Sequence, residues 1–311
     1  MQFACSPSSN ALSEHMVMTG SSPNASWQAL LDASMLCDKA IDRLLQRYSI
    51  QARWVLEGSA LQSFGRHGPV LLSVPPGDTR LLTDLVSLCQ AKPALSFLSL
   101  RCDVDSLVAV LQWLAWVETD DGDAPLYCRF ADTRVTSSLL AVLQTHQRET
   151  LAAVLNCWCW PDRLGHGLSC SKFDPGVAKA SAMDHSLRFD AQQFAQMLTM
   201  AEPDMVYQML VEKMPDILPL DDHGATHLRL DRMIAAARSH GLEDLPDLFQ
   251  FVVLGLSTFD EFHSSPILSQ RWRDRAKQRL RFADWVNDWP DEVWAAIDVR
   301  QQAPACAESN S

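Results

Sequence analysis

The stretch GPVLLSVPPGDTRLLTDLVSLCQAKPALSFLSL, residues 68–100, decides the fold class. It opens with an apolar run, Val70 to Val74, that stops at the Pro75-Pro76-Gly77 turn. Asp78 then stands where a helix N-cap belongs, ahead of Leu81, Leu82, Leu85 and Leu88 at helical spacing. A second apolar run, Leu95 to Leu100, follows. Strand, crossover helix and strand form the unit from which parallel sheets are built. Both runs are almost uninterruptedly apolar, as strands covered on two faces are.

Working outward, the alternation continues. ARWVLEGSA is a short strand near Gly58, and Asp103 or Asp105 caps a helix through Leu107, Leu111 and Leu114. LYCRFA is another strand, residues 135–147 a helix, and LNCWCWPD a last short strand. Upstream, Trp27, Leu30, Leu31, Cys37, Ile41, Leu44, Leu45 and Tyr48 share one face of a single helix. The expected architecture is an α/β lobe over residues 26–170, with a mostly parallel sheet flanked by helices. Residues 1–25, rich in Ser and Asn without periodicity, are expected to be disordered. A linker over 171–189 leads to an all-helical lobe over 190–298, and 299–311 form a flexible tail. Within that lobe, helices are expected over 190–214, 226–240, 244–263 and 267–287, with a short one at 290–297. Gly241 suits the position just past the second of these.

The 311 residues carry a formal net charge of −12, which disfavours wholesale binding to nucleic acid or an anionic membrane. No apolar run approaches the ~20 residues of a membrane span. The N-terminal segment lacks the basic and long apolar regions of a secretory signal. Nine cysteines, an odd count mostly inside apolar runs, read as buried thiols in a reducing compartment. The expected location is the cytoplasm.

Several clusters carry potential chemistry. Arg129, Asp132 and Arg134 lie at a strand-to-helix turn, where open α/β sheets place ligand groups. No nucleophile or histidine base stands beside them in the sequence, which favours a structural turn network over a catalytic one. Cys157 and Cys159, with His166 and Cys170 nearby, offer metal-ligand atoms. However, a Cys-x-Cys strand points both thiols to one sheet face, whereas zinc knuckles use Cys-x-x-Cys. Buried thiols between exposed or edge tryptophans are the expected arrangement. His223 and His227 sit four apart at what reads as a helix start. The chain is expected to hold no metal and no cofactor. No nucleophile elbow, P-loop, dinucleotide fingerprint or His-Glu-x-x-His is present.

The strongest charge feature is RWRDRAKQRLR, residues 271–281, at +5 in a chain otherwise at −17. On a helix, Trp272, Ala276, Leu280 and Ala283 form an apolar stripe. Arg271, Arg275 and Arg279 flank it on one side. With Trp272 these are the candidate partner-binding residues, suited to a protein with an apolar anchor and an acidic rim. A solvated basic face is the plainer alternative.

Short motifs across the chain resemble the type VI secretion effector adaptor family, the Tap- or Tec-type chaperones built on a domain of unknown function. They are WVLEGSA, Gly68-Pro69 leading into VLLSV, RFADTRV followed by LLAVLQ, WCWPD, and ARSHGLEDLPDLFQFVVLGLSTFDEFHSSP. The family commonly has Asp-Pro-Arg where this chain has Asp132-Thr133-Arg134, and often Asp where Glu57 stands. The resemblance implies a cytoplasmic, non-catalytic protein that holds a toxin effector and delivers it to the spike protein of the secretion machine. It also implies that an α/β lobe and a helical lobe together bind the effector. Two other classes stay open on the residues alone. One is a small-molecule or phosphate-binding α/β enzyme using Arg129, Asp132 and Arg134. The other is an immunity protein that neutralises a toxin.

Overall fold

Residues Trp27–Asp32 form strand β1, not the opening turns of a helix. All six are buried. A strand covered on both faces shows no polar alternation, so a short apolar run cannot announce whether it is strand or helix. Asp32 ends it, its carboxylate accepting from the Ser34 amide at 3.1 Å and starting a 3-10 turn over Ala33–Met35. Only then does helix α1, Asp38–Tyr48, begin. The computed structural model describes residues 26–120, 122, 124–163, 167–174, 186–219, 223–278 and 280–298. The expectations for 1–25, for 299–311, for most of the 171–189 segment, and for the His166 and Arg279 side chains lie outside the described residues.

The strand–helix–strand unit forms as its sequence expects. β3 is Pro69–Val74, α2 Thr79–Leu88 and β4 Leu95–Leu100. The Asp78 carboxylate accepts from the Leu81 amide at 3.0 Å, and Asp103 does the same for Ser106 at 2.8 Å, starting α3, Val104–Ala115. The chain continues through β5 (Trp116–Thr119), β6 (Leu126–Tyr127), α4 (Thr133–Val142), α5 (Thr145–Val154) and β7 (Leu155–Pro161). β8 (Leu168–Lys172) and β9 (Leu187–Phe189) then close the strand-bearing part, with β2 at Ala52–Trp54.

The sheet is not mostly parallel, which corrects the expectation. Its six strands are ordered β2-β3-β1-β4-β7-β8, and every neighbouring pair is antiparallel. β3 and β4 do run in the same direction, as a crossover helix requires. They do not touch, because β1 lies between them, pairing Leu30 with Leu71 on one side and with Ser96 on the other. Among the described residues, the one parallel pairing, β5 with β9, belongs to a separate three-stranded sheet ordered β6-β5-β9. Local sequence marked the crossover correctly. The inserted strand comes from a distant segment, and no local pattern reports it.

Side chains alternate between two cores, one on each face of the large sheet. Leu30, Leu71, Leu98 and Trp158 face α3, α4 and α5. Leu31, Leu72, Phe97, Cys157 and Cys159 face α1 and α2, where Ile41, Leu44, Leu81, Leu82 and Leu85 cover them. The tryptophans beside the thiols are therefore buried, not exposed. Trp158 donates its Nε1–H to the Ser96 hydroxyl at 3.0 Å, which satisfies its one polar group.

The chain divides into two compact units, residues 1–200 and 201–311. Helix α6, Ala191–Lys213, spans the division and contains Pro203. The second unit holds α7 (His223–Ser239), α8 (Leu245–Ser257), α9 (Pro266–Gln278), α10 (Phe282–Asn287) and α11 (Asp291–Asp298). The single helix expected over 267–287 is thus two, with Arg281, at φ −59° and ψ 148°, outside helical geometry ahead of α10. Gly241, at φ 74°, ends α7 as its sequence position suggests. Its amide donates to Arg238 and that of Leu242 to Ala237, at 2.9 and 3.2 Å, a helix-ending pair that needs the left-handed residue. The unit's core is a run of touching rings: Phe251, Phe262, Trp272, Phe282, Trp285 and Trp289.

Candidate functional site

The strand-to-helix turn is held by a four-membered charge network. Asp132 is the N-cap of α4, accepting from the Arg134 amide at 3.1 Å. The same carboxylate receives the Arg134 guanidinium in a two-point fork, at 2.9 Å from Nε and 2.5 Å from Nη2. It is only 2 % exposed. Arg129 lies farther away, at 3.9 Å, and gives its shorter contact to Asp32 at 2.8 Å, with a further one to the Ser34 hydroxyl at 3.1 Å. Asp32, at the end of β1, is the member that sequence reading missed, because its segment was assigned to a helix. The signal was present in Asp32-Ala33-Ser34, a pattern that favours a side chain capping the amide two residues on.

Every oxygen in this network faces a donor that belongs to the fold. The Thr133 amide donates to Pro93 and the Asp32 amide to Ala94, each at 2.9 Å. The network therefore fastens the start of α4 and the end of β1 to the segment just before β4. The Tyr127 phenol lies within electrostatic reach of Asp32 and Arg129. Burial pushes its phenol pKa up, with Asp32 adding to the effect, so it keeps its proton.

The candidate partner-binding residues lie differently from the expectation. The buried side of α9 is Leu268, Trp272 and Arg275, whereas Ala276 is exposed. Trp272 stacks on His240 with ring centres 4.0 Å apart and donates its Nε1–H to the His263 carbonyl at 3.0 Å. Arg275 reaches Asp247 at 3.6 Å and the His240 carbonyl at 3.3 Å. Asp247 also accepts from the Phe282 amide at 3.1 Å, so the buried pair joins the ends of α7, α8 and α10. Trp272 and Arg275 are thus core residues, and the apolar stripe through Ala276 is corrected. Arg273 and Lys277 are exposed and Arg271 is half-buried.

Three thiols gather where two were expected. Cys157 and Cys159 on β7 meet Cys170 on β8, and their sulfur atoms lie within 4.8 Å of one another. β8 straddles the expected boundary between lobe and linker at residue 170, where no strand was expected, yet Leu168 and Cys170 alternate with Ser169 and Ser171 as a strand partner should. The Asp162 amide donates to the Gly167 carbonyl at 3.1 Å, closing the hairpin. His227 lies 4.0 Å from Asp204, and the structure does not describe the His223 side chain.

Residues 27–150 match the family model described as a domain of unknown function, DUF4123. That family is known as an adaptor domain associated with type VI secretion effectors. No curated protein and no solved structure matches the chain. The DUF4123 match starts at the first residue of β1 and ends inside α5, covering less than half of the chain. It includes Asp32, Arg129, Asp132 and Arg134. The three clustered thiols and the second unit fall outside it.

Two outcomes follow from these contacts. Asp132→Ala removes the two-point fork from a guanidinium that is 17 % exposed, and should cost about 3–5 kcal/mol. Chemical denaturation checks this, and Arg129→Ala, whose side chain is 41 % exposed, should cost far less. In the second unit, His240 and His263 touch at 3.1 Å. Burial lowers both pKa values from the ordinary 6.5, with their neighbours Arg275 lowering that of His240 and Glu261 raising that of His263. The unfolded chain then binds more protons than the folded one as pH falls, so their contribution is present above pH ~6.5 and lost below it. The melting temperature should therefore drop between pH 7.5 and 5.5, and drop less in His263→Gln.

Proposed function

We propose that the chain is an effector adaptor, a cytoplasmic, non-catalytic protein that holds a toxin effector and brings it to the type VI spike protein. The observation that carries this reading is the match of residues 27–150 to DUF4123, which takes in WVLEGSA, Gly68-Pro69 with VLLSV, and RFADTRV with LLAVLQ among the resembling motifs. The engagement of Arg129, Asp132 and Arg134 with partners inside the fold supports it over an enzyme built on that turn. Among the described residues, no helix is long and apolar enough to cross a membrane, which suits a carrier of a second protein.

The outward side of α9, with Arg271, Arg273 and Lys277, is the proposed basic rim for the effector. Charges at a rim change association rate and salt dependence more than dissociation. The test is co-expression of the tagged chain with the toxin encoded beside its gene, followed by binding kinetics at two salt concentrations. The toxin should co-purify, and deleting the chain's gene should stop its secretion without silencing its activity in lysate. Arg273→Glu with Lys277→Glu should slow association and flatten its salt dependence. Neutralisation of the toxin with normal secretion would instead identify an immunity protein, and unchanged association rates would remove α9 from the interface.

A further inference from the structure

β7 and β8 pair antiparallel with Cys159 directly opposite Cys170, and Cys157 opposite Lys172. Residues 157 and 159 alternate to the same face, toward α1 and α2, and Cys170 packs against that same core. Its sulfur lies 2.9 Å from that of Cys159, and the sulfurs of Cys159 and Cys157 are 4.0 Å apart. With no pair of the three farther apart than 4.8 Å, all three sulfurs gather around one centre. Zinc–thiolate bonds of ~2.3 Å in tetrahedral geometry place sulfurs about 3.8 Å apart, so binding needs the Cys159–Cys170 pair to open from 2.9 Å. A third thiol supplied by the neighbouring strand does what Cys-x-Cys spacing alone cannot: it surrounds a point in space.

We propose that Cys157, Cys159 and Cys170 form a three-thiolate site for a thiophilic d10 cation, zinc(II) or copper(I). Thiolate sulfur selects these ions over magnesium or calcium, which take oxygen ligands. Cys170 stands on the edge strand and is half-buried, so the side of the site away from the core opens toward solvent. That opening suits the water that completes a three-cysteine zinc site, whereas copper(I) is satisfied by three sulfurs. Binding is a proton exchange: three thiols release three protons to solvent as three metal–sulfur bonds form. Zinc leaves the site with one net negative charge and copper with two, which Lys172, beside Cys170, partly offsets. Because each thiol must give up its proton to bind, affinity should rise with pH.

The test uses the full chain, reduced and freed of metal. It is titrated with zinc(II) against a chromophoric chelator and, separately, with copper(I) against bicinchoninate. One equivalent of one or both cations should bind and raise the melting temperature. Cys170→Ser should weaken that binding at least tenfold, and Cys37→Ser, at an exposed position, should leave it unchanged. Serine at the half-buried edge position leaves the sheet intact, which circular dichroism verifies; Cys159→Ser repeats the test from the core side. Failure of both cations to bind overturns the proposal, as does binding that is unchanged in Cys170→Ser. Recovery of a Cys159–Cys170 disulfide from cells lysed into a thiol-alkylating reagent overturns it too, because it assigns the pair to redox pairing.

Discussion

The pairing of β1 between β3 and β4 is the constraint on which the first unit depends. A crossover helix carries the chain from β3 to β4 with both strands pointing the same way, which leaves a gap one strand wide. β1 fills it, pairing along its whole length with β3 and from Trp27 to Leu31 with β4. Its alternate residues then join the two cores, Leu30 on one face and Ala29 and Leu31 on the other. Removing it would expose the inner edges of β3 and β4 together with both hydrophobic layers. Its end also matters, because Asp32 gathers Arg129, and the adjacent Pro93-Ala94 carbonyls accept from Asp32 and Thr133. The turn that first looks like an active site is the far end of this arrangement.

How much of this the sequence shows depends on the range of the forces involved. Caps, crossover and helix ends are local, so Asp78, Asp103 and Gly241 could be read directly. β1 could not, since WQALLD is short, buried on both faces, and paired with segments some forty and seventy residues away. β8 was hidden for a related reason: its serines interrupt the apolar pattern, and only pairing with β7 gives them a face. α9 failed differently. Its buried side, Leu268, Trp272 and Arg275, includes an arginine that hydrophobic patterning assigns to solvent. Among the described residues, the carboxylate of Asp247 and the carbonyl of His240 make that position tolerable.

Magnitudes separate scaffold from surface. A fork between Asp132 and Arg134, nearly out of water, is costly to break and has no free oxygen to offer a substrate. Exposed pairs such as Arg66–Asp42 and Arg53–Asp105 are each worth little and leave the surface available to partners. The charge network of Asp32, Arg129, Asp132 and Arg134 lies within the stretch that matches DUF4123, and the thiol cluster and the helical unit lie outside it.

Native-state hydrogen exchange is the most direct test of β1 as the central strand. The amides of Ala29, Leu30 and Leu31 should exchange only through global unfolding of the first unit, with the same denaturant dependence as those of Phe97 and Leu98 on β4. The edge-strand amides of β8 should exchange through smaller local openings. If the β1 amides exchange as fast as those of β8, or follow a helix-like local opening with α1, the sheet does not depend on this strand and the account is wrong.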